Sequence, residues 1–326
     1  MLNIGMIGAG LIAEHHEKAI ADLDDCRIRA VCDVREEAAE AMAERRGAES
    51  FTDYKRLLDE DLEIVYICTP PYLHREMAVA AAEAGKHIFL EKPLALNYED
   101  GLAIKEAVEK AGVKCQLGYV LGFNGAEDTA RRLYREGELG ELMHVWDRRM
   151  SNGTRSIIVE ALGTYRDWLN DRERGGGVLI ECMTHEVGWL LSVGGEVDSV
   201  YARIQDSPIP EVEVDDNAWA TFNFSSGGVG VLGTSWSDPV GGGGKGIVGS
   251  EGALRVQGEE VLFAPQGGEK EKISGEDSEE LAKQAYFNRC VREDLDPRNS
   301  VDEALYNLKV MLALHRSSEE NRVVEI

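Results

Sequence analysis

The stretch Gly8-Ala9-Gly10-Leu11-Ile12-Ala13 lies between an apolar run at residues 2–7 and a stretch at 13–21 in which Ala and Glu recur with helical spacing. Glycines often mark plain turns, so the strand–turn–helix context gives the GxGxxA pattern its meaning. In that context the first glycine permits a tight turn, the second lets a pyrophosphate approach the backbone, and the small third residue lets the helix pack on the strand. The helix then points its amide groups at the phosphates. We therefore predict a dinucleotide-binding turn.

An acidic residue stands where such a turn needs one further along the chain. Asp33 follows the next apolar run, residues 28–32, and lies 23 residues beyond Gly10. Its carboxylate is placed to accept hydrogen bonds from the adenosine ribose and to repel a 2′-phosphate, which favours NAD over NADP. Arg35 could instead grip that phosphate, or could be a solvated residue at a helix start, so NADP stays the less favoured alternative.

The first 120 residues alternate short apolar runs with longer helical patterns. The apolar runs lie at 2–7, 28–32, 64–68, 87–90 and 113–117, and the helical stretches at 13–21, 36–46 and 75–84. Near-continuous apolar strands separated by helices are typical of a parallel sheet covered on both faces. The pattern predicts an α/β Rossmann domain with a doubly wound parallel sheet over residues 1–120.

The pattern changes over residues 121–326. After a helical stretch at 127–136, strand-like segments lie at 142–150, 197–204, 218–224, 228–235 and 246–248. Several of them alternate apolar and polar residues, which suits an antiparallel sheet with one covered face. A helical pattern at 177–192 interrupts them. We predict an α+β domain for substrate binding and oligomerisation, built on a large open, mostly antiparallel sheet with helices on one face.

Two segments of this second half are predicted to be surface loops. They are residues 239–246, which include four consecutive glycines, and the polar residues 267–280. The last helix is expected at about 301–317, where Ser300 and Glu303 have the spacing of a capping box. We expect this helix to pack back toward the N-terminal domain.

Composition limits the classes of partner. The net charge of −25, from 35 basic and 60 acidic side chains, argues against nucleic acid, because a phosphate-binding surface needs clustered Lys and Arg. No apolar run is long enough to span a bilayer, and the first residues lack the features of a signal peptide. The six cysteines form no CxxC pair and mostly fall in apolar stretches, which fits a reducing cytoplasm. We expect a cytoplasmic protein with neither nucleic acid nor membrane as a partner.

Two further motifs follow predicted strands of the first domain, at the positions where open α/β sheets bind ligands. Thr69-Pro70-Pro71-Tyr72-Leu73-His74 follows residues 64–68, and Glu91-Lys92-Pro93 follows residues 87–90. Together with the glycine turn, these stretches resemble the Gfo/Idh/MocA family of NAD(P)-dependent oxidoreductases, whose signatures include TPxxxH and EKP. The resemblance continues through residues 137–142, 175–185 and 249–252, in the family's order and over nearly the whole chain.

The resemblance implies a set of cofactor-binding residues. Those that would surround the pyrophosphate, the adenosine ribose or the nicotinamide end are Gly8, Gly10, Leu11, Ile12, Asp33, Thr69, Pro70, His74, Glu91 and Lys92, with Arg35 beside Asp33. The family often makes the peptide bond before the EKP proline cis. Lys92–Pro93 is therefore a candidate cis bond.

The resemblance also implies three catalytic residues. They are Lys92 of the EKP motif and the acid and histidine of a GGGxLxDxGxH stretch, here Glu181 and His185. A spacing of four residues would put Glu181 and His185 on one face of one helix. A histidine can take the proton of a substrate hydroxyl as hydride leaves the same carbon, while a lysine holds and polarises that hydroxyl. A lone histidine on such a helix would otherwise be interpreted as a core residue.

The sequence departs from the family pattern around this site. Glu181 replaces the usual aspartate and Met183 the usual glycine, and residues 118–124 imply a less charged, more aromatic substrate pocket. Candidate substrate residues are Tyr119, Arg155, Tyr165 and Trp168. The alternative for Arg155 is an arginine that faces solvent. The alternative for Tyr165 and Trp168 is packing at the domain interface. Cys182 and His185 have the spacing of a metal-binding pair, but no second pair lies nearby, so no metal is expected.

We therefore expect an NAD-dependent enzyme that transfers a hydride between nicotinamide and a secondary alcohol or ketone of a sugar or cyclitol. One alternative is a redox-neutral, NAD-dependent enzyme that cleaves glycosides, and another is a non-catalytic regulator that senses nucleotide. Apolar side chains of residues 218–224 are expected on the open face of the sheet, where they would need a cover. This predicts a homodimer or homotetramer.

Overall fold

A computed structural model describes residues 1–120, 122–275 and 282–326, apart from the side chain of Arg155. The chain divides into two compact units: Met1–Tyr119 with Glu279–Leu305, and Val120–Ser278 with Tyr306–Ile326. The sequence predicted a single domain boundary, between residues 120 and 121. The units differ from that division because a C-terminal segment belongs with the first unit, where the Leu117 amide donates to the Asn299 carbonyl at 3.0 Å.

The described strands and helices are numbered in chain order. The strands are β1 (Leu2–Ile7), β2 (Cys26–Cys32), β3 (Glu49–Phe51), β4 (Ile64–Ile67), β5 (His87–Leu90), β6 (Cys115–Leu117), β7 (Leu142–Met150), β8 (Val197–Asp206), β9 (Asp215–Phe224), β10 (Val229–Ser235), β11 (Gly242–Gly249), β12 (Gly252–Gln257), β13 (Glu260–Pro265), β14 (Glu271–Ser274) and β15 (Val324–Glu325). The helices are α1 (Leu11–Ala21), α2 (Glu36–Arg46), α3 (Tyr54–Leu58), α4 (His74–Glu83), α5 (Tyr98–Ala111), α6 (Gly125–Arg135), α7 (Thr184–Gly194), α8 (Lys283–Glu293) and α9 (Val301–Glu320).

A parallel sheet forms the centre of the first unit. Among the described residues it has six strands in the order β3-β2-β1-β4-β5-β6, and each neighbouring pair is parallel. Every residue of β1 and β4 is buried, as their continuous apolar sequences require. The predicted doubly wound Rossmann sheet is confirmed. Strand β3 was not predicted, because it has three residues and none of them is fully buried.

A larger mixed sheet forms the second unit. Its nine described strands run β14-β13-β12-β11-β7-β10-β9-β8-β15, and among them the β7–β10 pair is parallel while the others are antiparallel. Helix α7 packs against β7 and β10, and α6 against β12 and β13. The prediction of a large, mostly antiparallel sheet with helices is confirmed. The parallel pair puts the carboxyl ends of β7 and β10 at one edge, beside the amino end of β9.

The two predicted loops of this unit were wrong in part, because each contains a strand. The glycine run enters β11, where Gly243 pairs with Arg149 and Gly244 with Arg148. Gly243 has φ +136, and a Cβ there would collide with the Arg148 carbonyl, so the close approach to β7 requires glycine. In the polar segment 267–280, residues 271–274 form β14, and residues 276–280 lie outside the described residues.

The two faces of β9 differ from the expected arrangement. The prediction placed the apolar side chains of residues 218–224 on the open face, but Ala218, Ala220, Phe222 and Phe224 are buried in the core. The alternate residues of β9 are exposed, among them Trp219 at 44%. The prediction assigned the strand to the wrong face because period-2 alternation does not say which face is covered.

Helix α9 begins as predicted, with a reciprocal capping box. The Ser300 amide donates to Glu303 Oε2 at 2.9 Å, and the Glu303 amide donates to Ser300 Oγ at 3.3 Å. The first residues of the helix, through Leu305, group with the first unit, and the rest with the second. Buried Leu308, Met311 and Leu314 follow the helical period on its covered face.

Candidate functional site: a dinucleotide edge and a histidine helix

The glycine turn after β1 has the geometry that the sequence predicts. Gly8 has φ +97, and a Cβ there would collide with the Cys68 backbone, so only glycine fits. Gly10 precedes α1, and among the described residues no side chain caps the start of that helix. Leu11 and Ile12 are 56% and 40% exposed although they are apolar. The first amides of α1 are therefore available to an anion, as a pyrophosphate would require.

Asp33 anchors this turn from the end of β2. Its Oδ2 accepts the Ala9 amide at 2.8 Å and Arg35 Nη2 at 3.0 Å, and its Oδ1 accepts the Arg35 amide at 2.9 Å and Arg35 Nε at 3.0 Å. Burial raises the pKa of Asp33, but these hydrogen bonds and the Arg35 charge outweigh it and leave the pKa lowered. The carboxylate is therefore ionised at neutral pH and can accept hydroxyl hydrogen bonds.

His74 joins the two loops that follow β4 and β5. The ring is fully buried; Nδ1 lies 2.8 Å from the Pro93 carbonyl oxygen and Nε2 lies 3.0 Å from the Thr69 carbonyl oxygen. Burial lowers its pKa despite these carbonyls. The residue thus fixes Thr69 and Pro70 relative to the EKP segment. The Lys92–Pro93 bond is cis, which confirms that prediction.

Glu91 of the EKP motif points into the interior of the first unit. It is 5% exposed; its Oε1 lies 2.8 Å from His16 Nε2, and its Oε2 accepts the Lys92 amide at 3.2 Å. Lys283 Nζ lies 4.0 Å from Oε1. Burial raises the pKa of Glu91, but the hydrogen bond from His16 and the charges of Lys283 and Lys92 lower it to about 2. The carboxylate is ionised and holds the backbone of Lys92.

Tyr119, a predicted substrate residue, ends the first unit. Its side chain is buried, and its carbonyl accepts a hydrogen bond from Asn299 Nδ2 at 3.4 Å. These contacts connect the carboxyl end of β6 to the segment before α9. The role of Tyr119 toward substrate stays a prediction.

The predicted catalytic residues of the second unit lie where two kinds of helix meet. Glu181 belongs to a π-helical turn at Leu179–Met183, and His185 is the second residue of α7. The prediction of one continuous α-helix was wrong for this turn. Its start is held by Asp215, whose Oδ2 accepts the Leu179 amide at 2.8 Å, and Gly177 leaves room for that carboxylate. Both side chains are partly exposed, so both are accessible within their unit.

The carboxyl end of β10 supports the same turn. The Trp236 indole donates from Nε1 to Cys182 Sγ at 3.1 Å. Beside it, Asp216 Oδ2 accepts the Thr154 hydroxyl at 3.2 Å and also the Ser237 hydroxyl. Across the described residues, no group of three or more His, Cys, Asp or Glu side chains could hold a metal ion.

An ion pair lies on the covered face beside α7, and its acidic member, Glu186, was not singled out from the sequence. Arg149 Nη1 donates to Glu186 Oε1 at 3.2 Å; Arg149 is half-exposed, whereas Glu186 is 4% exposed. Burial, and next the Asp147 carboxylate, raises the pKa of Glu186 to about 7. Charged residues at alternate positions of β7 that face the core could have indicated this pair from the sequence.

Lys245 completes this buried group from β11. Its Nζ lies 2.8 Å from Glu127 Oε1 and 3.1 Å from Asp147 Oδ2, and 5.3 Å from the ring centre of Trp189. Burial raises the pKa of Asp147, although Lys245 opposes that effect. Through Glu186, this group places a titratable carboxylate on α7, the helix that also contains His185.

The remaining substrate candidates lie before the three consecutive glycines at residues 175–177. Tyr165 is 49% exposed, and Trp168 is partly buried against the core in a short helical turn, Asp167–Asn170. The side chain of Arg155 lies outside the described residues. Lys92 belongs to the first unit and His185 to the second.

A parallel sheet with a glycine turn after its first strand and an ionised carboxylate after its second defines a dinucleotide-binding Rossmann protein. Residues 2–119 match the model of an oxidoreductase family with an NAD-binding Rossmann fold, and residues 128–255 match the Gfo/Idh/MocA C-terminal domain. The chain belongs to the Gfo/Idh/MocA family of oxidoreductases. The predictions of the family, of a nicotinamide-dependent dehydrogenase or reductase, and of NAD as its cofactor are confirmed.

Known proteins resemble the chain over most or all of its length. The scyllo-inositol 2-dehydrogenase (NAD(+)) of Bacillus subtilis (strain 168) is 29% identical over 350 residues, covering 98% of this chain and 95% of that protein. A 2,7-anhydro-N-acetylneuraminate hydratase of Escherichia coli (strain K12) is 28% identical over 239 residues, covering 71% and 61%. A levoglucosan dehydrogenase in complex with NADH and levoglucosan has the same fold, with a TM-score of 0.90, 21% identity, and coverage of 100% of this chain and 99% of that one.

No helix in the described part of the chain is long and apolar enough to cross a membrane.

Proposed function

We propose that this protein transfers a hydride between NAD and a secondary alcohol or ketone of a sugar or cyclitol. The observation that carries the proposal is the match to a cyclitol dehydrogenase along 98% of this chain, which includes both units. The uncapped start of α1 and the ionised Asp33 fit the pyrophosphate and ribose of NAD. The nicotinamide, when bound, supplies the site that accepts or gives the hydride. All other roles fall to side chains of this chain.

In this proposal His185 moves the proton of the reacting hydroxyl. Its position at the start of α7, where it is partly exposed, supports contact with a substrate. Lys92, at the carboxyl end of the Rossmann sheet, holds that hydroxyl and stabilises negative charge on its oxygen. Glu181, one turn before His185, orients one of these two groups. In the oxidation direction His185 takes the proton from the hydroxyl oxygen as the hydride leaves the carbon that bears it, and Lys92 stabilises the negative charge that develops on that oxygen before the carbonyl forms.

Kinetics of two substitutions test these roles. A panel of sugars and cyclitols, followed by absorbance of reduced nicotinamide, first identifies a substrate. His185→Ala is expected to lower kcat by roughly 100- to 10,000-fold, the span of a lost general acid–base. Lys92→Met is expected to lower kcat and raise KM together, because it removes a group that both holds and polarises the substrate. Neither change should alter the Kd for NAD by more than about twofold, since the phosphate turn and Asp33 bind it.

Matched substitutions control for charge and composition. His315→Ala removes a partly exposed histidine of α9, and Lys110→Met an exposed lysine of α5; both should keep full activity. Glu181→Asp restores the acid usual in the family. If Glu181 is fitted to this pocket, the shorter side chain should lower kcat. Full activity of His185→Ala on the identified substrate would assign the proton transfer to another group.

A second candidate is net redox-neutral chemistry, in which bound NAD is reduced and reoxidised within one turnover. The relative named as a hydratase supports it, because hydration leaves the substrate's overall oxidation state unchanged. Glycoside cleavage is the variant that we propose for this class. Product formation without any accumulation of reduced nicotinamide would favour it over dehydrogenation. A non-catalytic, nucleotide-sensing regulator would show neither.

We also propose a homodimer or homotetramer, and a cytoplasmic location. The open face of the large sheet supports association, since Trp219, Val229 and Val231 are 44%, 38% and 40% exposed there. The six cysteines are all buried thiols, which suits a reducing compartment.

A further inference from the structure

The interior of the first unit contains a charged cluster directly behind Lys92. Its members are His16 of α1, Glu91 after β5, and Lys283 and Gln284 at the start of α8. His16 is 1% exposed, Glu91 5% and Gln284 7%. Burying an ionised carboxylate costs folding free energy unless the charge is paired and hydrogen-bonded. Each partner of the Glu91 carboxylate therefore affects how the EKP segment folds.

The hydrogen bonds of this cluster form a chain in which Gln284 donates to His16 and His16 donates to Glu91. Gln284 Nε2 donates to His16 Nδ1 at 2.9 Å, so the ring proton lies on Nε2 and is donated to Glu91 Oε1 at 2.8 Å. The other carboxylate oxygen, Oε2, accepts the Lys92 amide at 3.2 Å. The cluster therefore ends on the backbone of Lys92.

Lys283 closes the cluster from the opposite side. Its Nζ donates to the Gly118 carbonyl at 3.3 Å and lies 4.0 Å from Glu91 Oε1. A Cβ at Gly118 would collide with the Glu91 carboxylate in its observed position. The His16 ring packs 4.9 Å from the Phe89 ring and 5.4 Å from the Tyr66 ring. These neighbours restrict where the Glu91 carboxylate can lie.

We propose that His16 and Lys283 are positioning residues for Lys92, acting through the Glu91 carboxylate. They hold that carboxylate so that it fixes the Lys92 amide, and with it the direction in which the lysine side chain leaves the backbone. Gln284 sets the tautomer of His16 that makes this possible. The expected effect on turnover rests on the proposed catalytic role of Lys92. The expected effect on the backbone position of Lys92 does not depend on that role.

Amide exchange tests the positioning without any substrate. Hydrogen–deuterium exchange of the whole protein, resolved to Lys92 by fragmentation, reports the hydrogen bond to Glu91 directly; Pro93 has no amide to interfere. His16→Phe keeps a ring and removes the donor, and Lys283→Met keeps the chain length and removes the charge. Each should speed exchange of the Lys92 amide by roughly tenfold or more, as loss of a hydrogen bond to a charged group predicts.

A conservative variant and a matched control separate positioning from general damage. His16→Gln puts an amide N–H near the lost ring N–H, so it should restore slow exchange. Glu63→Gln alters another glutamate that accepts a backbone amide, that of Asn3 at 2.6 Å, at the other end of the sheet. It should leave the exchange at Lys92 unchanged.

Kinetics complete the test. With the Kd for NAD unchanged, His16→Phe and Lys283→Met should lower kcat by roughly ten- to hundredfold through misplacement of Lys92, and His16→Gln should recover most of it. Unchanged exchange in both His16→Phe and Lys283→Met, or no recovery in His16→Gln, would overturn the positioning. Faster exchange with full turnover would support the positioning and overturn the catalytic role of Lys92.

Discussion

Glu186 gives the sharpest stability prediction. It is 4% exposed, Arg149 binds its Oε1, and its Oε2 has no hydrogen-bond partner among the described residues. Burial and the nearby Asp147 raise its pKa from 4.5 to about 7. Glu186→Gln keeps the shape of the side chain and its oxygen toward Arg149 while removing the titration.

The magnitude and sign follow from linkage. Because the pKa is raised in the folded state, the folded protein binds this proton more tightly than the unfolded chain between pH 4.5 and about 7. Stability contributed by the proton is therefore complete below pH 4.5 and lost as the pH rises through 7. At about 1.4 kcal/mol per pKa unit, ionised Glu186 costs the folded state about 3 kcal/mol above pH 7.

Denaturant unfolding of the wild type and Glu186→Gln at pH 5 and pH 8 measures this cost. The free energies of unfolding should be close at pH 5, and the variant should be more stable by about 2–3 kcal/mol at pH 8. Glu213→Gln, which removes an exposed carboxylate of the same unit, should give equal values at both pH values. A variant less stable than the wild type at pH 8 would mean that the ion pair with Arg149 outweighs burial, and would refute the reasoning.

Two further predictions concern the cofactor and assembly. Calorimetric titration should give a Kd for NAD roughly ten- to hundredfold lower than for NADP, because the Asp33 carboxylate accepts ribose hydroxyls and repels a 2′-phosphate; equal affinities would assign the site to Arg35. Light scattering at micromolar concentration should give the mass of a dimer or tetramer, and Trp219→Asp should shift it toward the monomer, since a charge on the open sheet face opposes burial. A monomeric wild type would contradict this.

The sequence predicted the first sheet well because its strands are short, apolar and buried on both sides. The predicted bounds of β1, β5 and α2 are those of the structure. The first, glycine-rich part of β11 was predicted as a loop and only residues 246–248 as a strand, because glycine lowers strand propensity and the pairing depends on a backbone approach that no local pattern reveals. The faces of β9 were exchanged for a similar reason: alternation gives two sets of residues, and only packing decides which set is covered.

The candidate site divides in the same way. Residues in contiguous motifs, such as Gly8, Asp33 and Lys92, could be identified because turn geometry and strand ends follow the chain. His16 and Lys283 could not, since they reach Glu91 from elements 75 and more than 190 positions away. Side chains that act through a motif residue leave no local signature, and only the fold brings them to it.

The two buried glutamates bear differently on activity near neutral pH. Glu91 keeps its charge, with a pKa of about 2, because a ring N–H, a backbone amide and a lysine surround it. Glu186, with a pKa of about 7, titrates in the range where histidine, ordinarily near ~6.5, also titrates. If His185 moves the proton as proposed, a limb near neutrality in the pH profile of kcat would have two sources in one helix, Glu186 and His185. Glu186→Gln separates them: a limb that persists belongs to the proton transfer at His185, and a limb that disappears belongs to the charge beside Arg149.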